Sequence, residues 1–121
     1  MSFTDLLAFK KSFSLAMKIF ELSESFPKDE KYSLTDQIRR FSRSVSANIS
    51  EAYRKRGYPK HFVSKLTDSD AENSGTFTWL LFALESKYID KLKFEDLFKE
   101  NLEVGRLINY MINNPRKFGA I

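Results

Sequence analysis

Apolar residues recur at spacings of three and four in four separate stretches of the chain. Phe3, Leu6, Phe9, Phe13, Ala16, Met17 and Phe20 form the first stripe, and Ser2 with Asp5 has the spacing of a capping box. Residues 4 to 24 are therefore predicted to be an amphipathic helix that ends before Phe26-Pro27. The second stripe, Leu34, Ile38, Phe41, Val45, Ile49 and Ala52, follows Ser33 as an N-cap with Asp36 three residues on, and Gly57 and Pro59 punctuate its end. Pro59 suits a helix's first position, and Phe62, Leu66, Phe77, Leu80, Leu81 and Leu84 extend a third helix through about Tyr88. The fourth stripe, Phe94, Leu97, Phe98, Leu102, Val104, Ile108 and Met111, stops at Asn113-Asn114-Pro115. No segment alternates like a strand, no repeat is visible and the connections are short. The pattern predicts an all-α chain, one domain over residues 1–121, folded as an antiparallel up-down-up-down four-helix bundle.

The third helix interrupts its own pattern. Residues 67 to 76, TDSDAENSGT, hold a single apolar side chain, Ala71. In an antiparallel hairpin centred on Gly57 and Tyr58, facing residue numbers sum to about 115 or 116, because both helices rise equally. The polar segment then faces residues 40 to 48, RFSRSVSAN, with Arg43 opposite Glu72, Arg40 near Gly75 and Ser42 near Asn73. Such a segment reads either as a hydrogen-bonded polar layer, since each unpaired buried polar group costs roughly 1–3 kcal/mol, or as a subunit interface whose polar residues fix register. Asn48, Glu51, Glu72, Asn73 and Thr76 are the expected members of this core or interface layer.

Catalytic chemistry finds no foothold. Asp68, Asp70 and Glu72 lie at spacings of two, which splays them around a helix, and the lone His61 lacks the Glu-x-x-His context of di-metal bundles. Ser42, Ser44, Ser46 and Ser50 have no base in view. With no cysteine there is neither a disulfide nor a thiolate site. No catalytic residue, metal, cofactor or enzymatic activity is predicted. The N-terminus lacks the pattern of a signal peptide, and no apolar run reaches the roughly 18 residues of a membrane span, so a soluble cytoplasmic protein without a membrane partner is expected.

Charge is uneven. Against a net charge of +4, residues 39 to 65 carry a balance of +7 and residues 67 to 103 a balance of −5. Arg54, Lys55, Arg56 and Lys60 surround the turn between helices 2 and 3, where side chains are expected to be free, and Arg39, Arg40, Arg43 and Lys65 extend the basic region down the hairpin. These eight are the candidate contacts to RNA or DNA, with Tyr53, Tyr58 and His61 as stacking groups. Twelve phenylalanines suggest that some aromatic surface is buried between subunits. The end of helix 3, WLLFALESKYI, is expected to overhang its neighbours by about 10 Å and to suit an oligomer or a protein partner. A protein-binding scaffold is thus the alternative to a nucleic-acid-binding protein.

The run YSLTDQIRRFSRSVSANISEAYRKR resembles the four-helix bundle family of 23S rRNA intervening-sequence proteins, also called the S23 ribosomal protein family. The matching positions are Leu34, Thr35, Gln37, Ile38, Arg39, Arg40, Ser44, Asn48, Ile49 and Glu51, and the likeness extends over about residues 6 to 112. The resemblance implies an antiparallel bundle assembled as a homopentamer. It also reaches the accessory variability determinant of diversity-generating retroelements, a basic pentamer that binds nucleic acid and a reverse transcriptase, which implies the same classes of partner here. Two positions depart from the family pattern: Ala52 replaces a usual Gly, and Gly75-Thr76 replaces a Glu-Thr pair, which leaves Arg40 to find another partner.

Overall fold

The computed structural model describes residues 2–121. Ser2 and Asp5 form the reciprocal capping box that their spacing predicts, but they cap a 3-10 turn, Phe3–Asp5. Leu6 is extended, at φ −65° and ψ 132°, and breaks the predicted first helix into that turn and α1, Leu7–Ser23. Helix α2 spans Leu34–Arg54, α3 spans Pro59–Glu85 and α4 spans Lys91–Asn113. Each helix packs on its chain neighbours and α1 closes on α4, which is the up-down-up-down arrangement.

The caps explain where prediction and structure part. Ser33 stands at the N-cap of α2, but its hydroxyl makes no capping bond. It donates instead to Glu30, whose carboxylate also accepts the Leu34 amide and so caps the helix in its place. Tyr88 donates to the other Glu30 oxygen at 2.8 Å, clamping the α1–α2 connection onto the α3–α4 connection. These bonds, from Ser33 first, then Tyr88 and Leu34, hold the Glu30 carboxyl below its ordinary range, and the bond to Glu30 raises the Tyr88 phenol. Helix α3 stops three residues before the predicted limit in a Schellman cap: the Tyr88 amide donates to the Ala83 carbonyl and the Lys87 amide to that of Leu84. Lys87 occupies the left-handed position at φ 64° that glycine usually takes. The end of α3 is therefore no free overhang, because Tyr88 packs on Phe26 of the α1–α2 connection, ring centroids 5.6 Å apart.

The core runs along the bundle axis through Ile19, Ile38, Ile49, Phe62, Leu66, Leu80, Val104 and Ile108. Helix α1 is rotated from its sequence reading. Its buried face is Ala8, Ser12, Leu15, Ala16, Ile19 and Ser23, whereas Phe13 and Met17 of the predicted stripe are 52% and 44% exposed. Phe9 and Phe20 are half-buried beside them. The small residues let α1 approach α2 closely, and the larger aromatic rings are displaced to the edge between those helices.

Candidate nucleic-acid interface

The polar segment of α3 is a hydrogen-bonded layer through the middle of the bundle. Asn73 and Asn101 clasp α3 to α4: Asn73 Nδ2 donates to the Asn101 carbonyl at 2.9 Å, and Asn101 Nδ2 donates to the Asn73 carbonyl at 2.9 Å and its Oδ1 at 3.1 Å. Ser69 donates across to the Val45 carbonyl at 2.8 Å, and the hydroxyls of Ser12 and Ser46 meet at 2.9 Å between α1 and α2. Since Ser12 donates to the Phe9 carbonyl, Ser46 is the donor of that pair. Thr76 is buried and bonds within its helix to the Glu72 carbonyl, and half-buried Asn48 does likewise to that of Ser44. Glu51 lies outside the layer, exposed and paired with Lys65 at 3.7 Å. Glu72 is half-buried, and its carboxylate has no ion pair among the described residues. Ser12, Ser46, Ser69 and Asn101 complete the layer; Asn101 was detectable as the polar residue standing at core spacing between Leu97 and Val104.

The hairpin register is as the arithmetic requires, for Lys65 with Glu51 and Phe41 with Gly75 both sum to 116. The orientation of the arginines differs. Arg43 does not meet Glu72; its guanidinium lies over the Phe20 ring of α1 at 5.3 Å. Arg40 turns outward to Asp36 at 3.9 Å, so Phe41 and not Arg40 faces Gly75. A Cβ at Gly75 would overlap the Phe41 ring, which explains glycine at this position. Phe41 in turn meets Trp79 at 5.9 Å, and Trp79 meets the 55% exposed Phe82 at 5.6 Å. Among the described residues the buried Trp79 Nε1 has no acceptor.

The candidate cations fall into two groups. Arg54, Lys55 and Lys60 at the tip of the hairpin are exposed and without an ion pair among the described residues. Tyr58 and His61 stand beside them, both exposed, with their rings edge to face at 6.0 Å. Arg56, expected to be free, is occupied: its guanidinium covers the Tyr53 ring at 3.7 Å, its Nε donates to the Tyr53 carbonyl at 2.8 Å, and it packs beside Gly119 near the chain's end. Tyr53 is buried under it and is not an exposed stacking platform. Lys65 is spent on Glu51. Arg39 donates from Nε to the Ser23 hydroxyl at 2.7 Å with its guanidinium 4.6 Å from the Phe20 ring centre.

Among the described residues no group of acids and histidines could hold a metal, and no helix is long and apolar enough to cross a membrane. No curated protein matches the sequence. A crystal structure of a protein of unknown function from the S23 ribosomal protein family of Bacteroides thetaiotaomicron is similar over 91% of this chain and 98% of that one, with a TM-score of 0.81 and 26% identity. The profile of the 23S rRNA-intervening sequence proteins matches residues 4–110. Four helices in the same arrangement and a match over nearly the whole chain have one conclusion: the chain belongs to the 23S rRNA-intervening sequence protein family.

Proposed function

We propose that the protein is a non-enzymatic, homo-oligomeric nucleic-acid-binding accessory protein whose basic hairpin tip contacts phosphates. The observation that carries this reading is the set of exposed cations Arg54, Lys55 and Lys60, without an ion pair among the described residues and grouped with exposed Tyr58 and His61 at one end of the bundle. Unpaired basic side chains lose little on meeting phosphate and gain by counterion release, and a ring of subunits multiplies the effect. Self-association, as the pentamer that the family resemblance implies, is supported by the Phe41, Trp79 and Phe82 cluster, whose outermost ring, Phe82, is 55% exposed. The non-enzymatic reading is supported by the buried hydroxyls of Ser12, Ser42 and Ser69, which all donate to main-chain carbonyls.

Fluorescence anisotropy with labelled mixed-sequence RNA and duplex DNA at about 50 mM salt, a condition that favours electrostatic contacts, tests the binding. Affinity for both is expected, and it should fall when Arg54, Lys55 and Lys60 are replaced together by Ala; no binding of either would refute the reading. Light scattering after gel filtration tests the assembly. A multiple of the 14.2 kDa chain mass is expected, and a clean monomer would remove the oligomer from the proposal.

A further inference from the structure

The first stripe of the sequence has the spacing of a core face, yet the structure buries only Leu6 and Ala16 of it and leaves its phenylalanines and Met17 along the edge between α1 and α2. Phe3 meets Phe9 edge to face at 5.0 Å, Phe9 stacks on Phe13 at 5.7 Å, and Phe20 continues the row two turns further on. Along the facing helix, positions 39, 43, 46, 50 and 54 recur at spacings of four and three and so share one side. Arg39, Arg43 and Arg54 are three of those five. Arg39 and Arg43 are drawn over the Phe20 ring, and none of the three arginines meets a carboxylate among the described residues.

Two concavities lie along this edge. One, of about 280 Å³, is walled by Phe9, Phe13, Ala16 and Met17 with Arg43 and Ser46 opposite. The other, of about 530 Å³ at the hairpin tip, includes Phe3, Ser50, Arg54 and Lys55. The contact between Phe3 of the N-terminal 3-10 turn and Phe9 of α1, and the single turn from Ser46 to Ser50 on α2, join them. The one carboxylate in their walls, Glu51, is already held by Lys65. From Arg39 to Arg54 the track runs roughly 22 Å at 1.5 Å per residue.

We propose that this α1–α2 groove is a track for single-stranded nucleic acid, in which unpaired bases stack on Phe13 and its neighbouring rings while the phosphates follow Arg39, Arg43 and Arg54. The inference rests on the nucleic-acid reading above, but it names a different surface and a strandedness. Rings beside cations that meet no carboxylate suit a strand whose base faces are free, because every base has a π-face and the backbone brings a charge at each step. A duplex keeps its bases stacked on one another and offers these rings nothing. An aliphatic partner surface would bury the rings but would leave three arginines without counter-charge.

The test compares labelled oligouridylate with a mixed-sequence duplex of equal length, for the unmodified chain, Phe13→Ala and Arg43→Ala, with circular dichroism to confirm folding. Phe13→Ala should weaken binding to the single strand by about tenfold, the scale of one lost base stack, and leave duplex affinity within about twofold. Arg43→Ala should weaken single-strand binding and lower its salt dependence. In the unmodified protein, 4-thiouridine in the oligonucleotide should crosslink to residues of α1. Binding of both nucleic acids with no effect of either substitution and no α1 crosslink would overturn the track while leaving the hairpin-tip reading intact. No binding of either nucleic acid would overturn both. A Phe13→Ala protein that loses its oligomeric mass while still binding the single strand unchanged would assign the groove to a neighbouring subunit instead.

Discussion

Replacing Asn101 by Ala tests whether the polar layer holds the bundle together. The substitution removes both hydrogen bonds donated by Asn101 Nδ2 and leaves Asn73 Oδ1, on a residue only 5% exposed, without its partner. The bond from Asn73 Nδ2 survives, since it ends on the Asn101 main chain. Two bonds at about 0.5–1.5 kcal/mol each, or equivalently a stranded acceptor at about 1–3 kcal/mol, together with a small cavity, set the expected loss at about 2–4 kcal/mol. The assay is urea unfolding followed by circular dichroism at fixed protomer concentration, because assembly makes stability depend on concentration. Replacing Asn73 and Asn101 together by Leu should cost less than the sum of the single replacements, as removing both partners leaves nothing stranded. A loss below about 0.5 kcal/mol for Asn101→Ala, the scale of a surface substitution, would refute the reasoning.

Other substitutions probe the remaining local claims. Lys87→Gly should stabilise the protein by about 1 kcal/mol, because φ 64° is strained for a side-chain-bearing residue; chemical denaturation reads the gain. Gly75→Ala should destabilise by about 1–2 kcal/mol despite alanine's better helix propensity, since the new methyl meets the Phe41 ring, and Phe41→Leu in the same chain should recover part of the loss. Because Glu30 titrates lower in the folded state, its contribution is complete above its ordinary value near 4.5 and is lost as pH falls through the folded value. Tyr88 is raised, so its contribution is complete below 10.0 and is lost as pH rises through the folded value. Tyr88→Phe should flatten both limbs of a stability profile against pH. A double-mutant cycle on Arg43 and Glu72 should return coupling near zero, since Arg43 is drawn to Phe20 on the side of α2 that faces α1.

How far the sequence discloses this structure follows from which forces act locally. The stripe of α2, that of α4 apart from the 40% exposed Leu102, and the hairpin register are set by periodicity and equal rise, and Lys65 with Glu51 stands where arithmetic places it. The rotation of α1 was not legible, because Ser12 and Ser23 become core only when α2 approaches closely, and hydrophobicity alone favours Phe13 and Met17 for that place. The early stop of α3 was hidden by Lys87, which takes a glycine's conformation without the glycine. The cap on α2 was misassigned because Glu30 reaches it from a turn before the helix. At the candidate site, charge identified the tip cations, but the lock on Arg56 depends on Gly119 and Tyr53, and the partners of Arg39 and Arg43 lie on α1. Those are tertiary contacts with no trace in the spacing of the basic residues.

The most direct test of the proposed function is the slope of log affinity against log salt for single-stranded RNA, measured with the unmodified chain and with Arg54, Lys55 and Lys60 replaced by Ala. Each phosphate neutralised on a single strand contributes about 0.7 to the slope. The account predicts a steep linear fall for the unmodified chain and a slope reduced by up to about 2 for each bound subunit that loses the three tip cations, with the helices intact. Affinity that does not respond to salt, or a slope unchanged by the three replacements, would contradict it.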